Sequence, residues 1–144
     1  MREFATCVRQ HGPRRLAVLI LAIVAALAVP PPVTAALDGS TPMLCSIATV
    51  LECDASKCER ATTDDADLPN FVRVDVPKKL VTAVPGGKQT TIKFSERLDR
   101  RLVLHGGENG RGWTATIAED SGRMSIAVVD QDHTFAIFGA CVTP

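Results

Sequence analysis

The chain has 144 residues, 16 basic and 16 acidic side chains, 46% hydrophobic but only 4% aromatic residues, and five cysteines. That length bounds the chain to a single small domain. Balanced charge argues against nucleic acid or anionic lipid as the main partner, because both need a basic face.

The first stretch, MREFATCVRQHGPRRLAVLILAIVAALAVPPPVTA, is positive at its start, through Arg2, Arg9, Arg14 and Arg15 against Glu3. An apolar run of about fourteen residues follows, from Leu16 to Val29, then Pro30, Pro31 and Pro32, then small residues ending at Ala35. This is the pattern of a secretory signal peptide over residues 1–35, with cleavage expected after Ala35. The apolar run is shorter than the roughly 18–20 residues that span a bilayer, and the prolines block its extension, so no stable membrane span is expected after cleavage. Met43 and Leu44 before Cys45 are too bulky for a lipidation cut. Cleavage would leave 109 of the 144 residues, with 12 of the 16 basic and 15 of the 16 acidic side chains, a mildly acidic chain. Residues 36–44 read as a flexible lead-in and residues 45–144 as one β domain.

From Cys45 onward the apolar residues alternate. Cys45, Ile47, Leu51 and Cys53 share one face of the first strand, which is expected to point inward. TVLEC and CERAT form two arms around the polar connection DASK, and TTDDADLPN reads as a loop. Val72, Val74 and Val76 alternate in FVRVDV, and Ile92 and Phe94 flank Lys93 in TIKF. SERLDRR, with Ser95 as a cap, is the one candidate helical turn. Leu102 and Leu104 then oppose Arg101, Val103 and His105; Trp113, Ala115 and Ile117 oppose two threonines; Met124, Ile126 and Val128 oppose Ser125 and Ala127. Period two with β-branched residues marks half-buried strands. Pro85-Gly86-Gly87, Asn109-Gly110, EDSGR and DQDH separate them as turns. About eight or nine short strands predict an all-β domain, a small antiparallel barrel or, as the alternative, a sandwich.

Cys7 leaves with the leader, and the four remaining cysteines suit disulfides in an exported domain. Cys53 and Cys58 face each other at the last pair of a hairpin, which leaves Cys45 for Cys141 and joins the first strand to the last. Cys45 with Cys58 and Cys53 with Cys141 remains a second scheme. In the chain-entropy model the short loop contributes roughly 2 kcal/mol and the long one roughly 4–5 kcal/mol. A structural zinc site would need a second close pair of ligands, and a thioredoxin-like site a Cys-x-x-Cys at a helix start. Neither is present, so no metal and no cofactor are expected.

Side chains able to do chemistry are few. His105 and His133 are not spaced as a metal pair; Asp64, Asp65 and Asp67 lack the glycine and terminal glutamate of an EF-hand. In HGGENGRGW a tryptophan stands where a phosphate loop needs lysine and a hydroxyl, so the stretch reads as a hairpin turn. Arg97, Arg100 and Arg101 are diluted by Glu96 and Asp99 and read as local ion pairs. No Gly-x-Ser-x-Gly elbow occurs. Glu108, Arg111 and Trp113 gather around the Asn109-Gly110 turn and form the candidate binding surface, since a lone tryptophan there serves either the core or a ligand.

The closing stretch GRGWTATIAEDSGRMSIAVVDQDHTFAIFGAC resembles the ends of small exported bacterial proteins of unknown function, through Gly112-Trp113, Ser121-Gly122-Arg123 and Phe138-Gly139-Ala140-Cys141. The likeness covers about a quarter of the chain. It implies export and a β fold and brings no activity. The sequence therefore points to a periplasmic or secreted, non-catalytic binding module whose partner is a small ligand or an envelope protein. An enzyme of unfamiliar type and a structural envelope protein are the alternatives, and the interior of the barrel discriminates among them.

Overall fold

The structure, a computed structural model, describes residues 37–144; the expected leader lies outside them. Nine strands run in chain order: β1 (Met43–Cys53), β2 (Cys58–Ala61), β3 (Phe71–Asp75), β4 (Leu80–Val84), β5 (Gln89–Leu98), β6 (Arg101–Glu108), β7 (Arg111–Ala118), β8 (Arg123–Val129) and β9 (Thr134–Val142). Each of β3 to β9 pairs antiparallel with the next, and β9 returns to β1. The result is a closed eight-stranded barrel, with β2 as an extra strand hairpinned onto β1. No helix among the described residues is long and apolar enough to cross a membrane.

Strand β1 makes the closure. Its eleven residues pair with β9 from Leu44 to Cys53, while the opposite edge pairs with β3 at Met43–Ser46 and with β2 at Val50–Cys53. Cys45 sits directly opposite Cys141, and the two form a disulfide with S–S 2.07 Å across 96 residues of sequence. Both cysteines are core residues, 0% and 2% exposed. Cys53 pairs with Cys58 in the same way and bonds to it. The second pairing scheme is thereby excluded. Gly139 permits the close seam beside Ile47: a Cβ there would collide with the Ser46 carbonyl oxygen.

Inward phase follows the sequence alternation in β3, β6, β7 and β8, where Val72, Val74, Leu102, Leu104, Ala115, Ile117 and Met124 are buried. Two bulges break it elsewhere. One falls between Ile47 and Thr49 of β1, so Val50 rather than Leu51 turns into the core, opposite Ile137. The other lies between Ile92 and Phe94 of β5; Ile92 is buried, whereas Phe94 is 53% exposed and lies beside His105 outside, ring centroids 5.7 Å apart. An extra residue on one strand shifts a period-two pattern to the opposite face, and sequence alternation has no means of showing it. The expected inward faces of Leu51, Cys53 and Phe94 are corrected accordingly.

SERLDRR is also not a helical turn. β5 continues through Ser95 to Leu98 and returns as β6 after Asp99-Arg100, both at positive φ (48° and 60°). Asn109-Gly110 (51° and 81°) makes the equivalent turn between β6 and β7. Two successive positive φ values match the right-handed twist of a two-residue hairpin. Charged residues imposed there at Asp99-Arg100 disguise the first turn, whereas Asn-Gly advertises the second.

The lead-in is tied down rather than loose. Leu37 is buried against the lower core, its N–H donating to the Glu119 carbonyl (3.4 Å), and β1 already begins at Met43. At this end Arg97 donates two hydrogen bonds to Glu119 (2.6 and 2.8 Å), which hold that carboxyl below its ordinary range. The β3–β4, β5–β6 and β7–β8 turns share this closed end; the β4–β5, β6–β7 and β8–β9 turns lie at the other.

The seam disulfide closes a far longer loop than the hairpin disulfide, so the two should differ in weight. Replacing Cys45 and Cys141 by alanine together should lower the melting temperature by roughly 15 °C or more, and replacing Cys53 and Cys58 by about half as much. Thermal denaturation followed by circular dichroism checks the ranking; equal losses would contradict it.

Candidate ligand cavity

The barrel interior is divided into a packed floor and an open upper chamber. Leu104, Ile117 and Met124 are 1%, 0% and 3% exposed and form the floor. Above them Val81, Ala83, Trp113, Ile126 and Val128 are only half-buried, so solvent reaches them from the mouth. The chamber with its mouth measures about 810 Å³. Space survives because inward positions that other barrels fill with large side chains hold Ala83, Ala115 and Gly106.

Gly106 deserves its place by geometry. It pairs with Trp113 across β6 and β7, and the indole lies directly over its Cα: a Cβ at 106 would collide with Trp113 Cζ2 and Cε2 and lie 2.6 Å from the Thr91 carbonyl oxygen. The ring is thus laid flat across β6, and its Nε1 donates to Thr90 Oγ1 on β5 (3.2 Å). With its N–H satisfied, the indole presents the chamber with an aromatic surface and no free donor.

The mouth is polar. Asp67, Lys88, Gln89, Glu108, Asn109 and Arg111 edge it. The loop between β2 and β3 folds inward over one side, where Ala66 and Leu68 pack with Val50, Phe135 and Ile137. Thr62 Oγ1 donates to Asp65 (2.6 Å), Thr63 Oγ1 to Asn70 (2.7 Å), and Leu68 N to the Thr63 carbonyl (2.8 Å), which fixes the loop. Lys88 Nζ reaches Asp67 at 3.3 Å, linking the loop to the β4–β5 turn. Arg111 Nε stands 3.4 Å from Asp130 Oδ2. The Asp130 carboxyl is held below its usual range by the N–H groups of His133 and Asp132, with Arg111 adding to them.

The three candidate binding residues, Glu108, Arg111 and Trp113, all line this cavity: the first two at the rim and Trp113 in its wall. Other candidates lie apart. His105 hydrogen-bonds Thr114 Oγ1 (2.9 Å) on the outer surface beside Phe94. His133 sits in the β8–β9 turn, 3.8 Å from Glu52. Asp65 and Asp67 are engaged by Thr62 and Lys88, and no group of three metal-ligating side chains occurs among the described residues. Arg97 and Arg100 pair with Glu119 and Asp120 at the closed end. A shallow polar recess of about 310 Å³ beside the hairpin disulfide contains Asp54, lowered to about 2 because Ser56 and Lys57 donate to it; it organises the DASK turn.

Sequence reading missed Gly106, Thr90 and the small wall residues. Gly106 and Gly107 belong to β6 and not to the turn that follows. Their only sequence signal is phase: Gly106 continues the inward series of Leu102 and Leu104.

Below the rim the lining, among the described residues, offers aliphatic contact, one indole face and the Thr90 hydroxyl, with no titratable side chain. Such a wall holds a molecule by apolar burial and leaves orientation to the polar edge. No protein-family model, no curated protein and no solved structure matches the chain.

Gly106→Ala tests the packing of the indole. It should shift the emission of the single tryptophan to longer wavelength and lower the melting temperature, since Thr91 backbone as well as the ring must move. An unchanged emission maximum would contradict the flat seating of Trp113.

Proposed function

We propose that this protein is an exported binding module, periplasmic or secreted, that takes a small apolar molecule into the open end of its barrel. The carrying observation is the chamber of about 810 Å³ with aliphatic walls and a polar rim. Ligand sites share these features: concave, mostly apolar, with a few polar groups at the edge for orientation. A small domain that gained nothing from the space would be expected to fill it, because dry voids forfeit packing contacts. Export rests on the leader-like first 35 residues and accords with two disulfides, which persist in oxidising compartments.

Both main alternatives make different demands on the interior. A structural envelope protein needs no chamber. An enzyme needs convergent titratable groups, and those lining this cavity stand at the rim, with Asp67 and Lys88 paired to each other and Arg111 to Asp130.

The neutral fluorophore N-phenyl-1-naphthylamine provides the test. It should gain fluorescence on mixing with the oxidised protein, and Ala115→Phe, which projects a ring into the chamber just above the floor, should weaken its binding by about tenfold or more. Ala83→Phe fills the chamber nearer the mouth and serves if Ala115→Phe fails to fold. No gain with the native protein, or binding indifferent to a folded filling variant, would refute the reading.

A further inference from the structure

The charges at the mouth narrow the class of ligand; this step rests on the chamber being a binding site. We infer that the ligand is an uncharged amphiphile: an apolar body that descends past Trp113 to the floor, and a hydrogen-bonding but un-ionised polar end that stays at the rim.

Depth sets the body. Along β7 the chamber runs from Arg111 at the rim to Ala115 just above Ile117. Four residues at about 3.3 Å each give about 13 Å along the strand. Tilted by about 40°, as strands of an eight-stranded barrel are, that is about 10 Å of axial depth. With C–C bonds of about 1.5 Å projecting about 1.25 Å each along an extended chain, about eight carbons span that depth. Burying them drives binding through apolar contact, with no charged contact required.

Charge sets the head. A carboxylate or phosphate entering the mouth would need an available cation. Lys88 already faces Asp67 at 3.3 Å and Arg111 faces Asp130 at 3.4 Å. Asp67 and Glu108 balance Lys88 and Arg111 at the edge, and Asp130 stands behind Arg111, so the edge carries no net positive charge. An anion would be partly desolvated with no net attraction to offset the loss. A quaternary ammonium would need a cage of aromatic faces, and the chamber has one indole. Uncharged partners are better provided: the Gln89 and Asn109 amides stand at the rim. Thr90 Oγ1, which accepts from Trp113, keeps its own O–H to donate to an oxygen of the ligand.

Competition against bound N-phenyl-1-naphthylamine tests this with three probes of one chain length and different heads: 1-octanol, octanoate and octyltrimethylammonium, at neutral pH. The expected result is displacement by 1-octanol, with both ionic probes weaker by about tenfold or more. Equal or tighter binding of octanoate or octyltrimethylammonium would overturn the uncharged head. Failure of all three to displace a fluorophore that Ala115→Phe or Ala83→Phe does exclude would overturn the proposed body. Either outcome leaves the chamber a binding site. Absence of fluorophore binding to the native protein would remove the binding reading itself, and this inference with it.

Discussion

Pairing of the first barrel strand with the last is the constraint on which the rest depends. An antiparallel sheet of this length has two hydrophobic-backed edges until it closes. Here one eleven-residue strand, β1, closes it by meeting β9 along nearly its whole length while its other edge is shared between β3 and β2. The Cys45–Cys141 bond fixes that meeting inside the core and shortens the unfolded chain's reach across almost the entire domain. Without closure the inward faces of β4, β7 and β8 would have no opposing wall, and there would be no lumen.

The two ends of the lumen are finished differently, and this difference gives the molecule a direction. At one end Leu37, Met43, Leu102, Ile117 and Met124 pack as a continuous core, and the Arg97–Glu119 pair ties adjacent turns together outside it. At the other, small residues keep the walls apart, a polar edge faces solvent, and only the β2–β3 loop leans over the opening. The space is made by specific omissions of side-chain volume: a glycine where an indole must lie flat, and alanines at Ala83 and Ala115. A single aromatic lining residue in a chain so poor in aromatics leaves the chamber dominated by aliphatic carbon.

Much of this was legible in the sequence because strand alternation and turn chemistry are local. Val72 and Val74, Leu102 and Leu104, and Ala115 and Ile117 point where period two places them, and Asn109-Gly110 turns where its backbone preferences require. Closure was legible through the cysteines, whose spacing left the first and last strands to be joined. What escaped were features set by the partner strand. The bulges at Ala48 and Lys93 exist because two strands of unequal path must stay paired, and each reverses the faces that follow. Asp99-Arg100 adopts positive φ under the same demand, although arginine does not favour it. The sequence leaves Trp113 as either anchor or platform; only the cross-strand view over Gly106 to Thr90 shows how it serves as wall.

Amide hydrogen exchange of the oxidised protein, resolved by residue, examines closure most directly. The amides bonded between β1 and β9 should be protected to the same order as those between β7 and β8 in the middle of the sheet. Exchange of the β1–β9 amides as fast as those on the unpaired side of β2 would mean an open sheet, and the chamber could not exist as described.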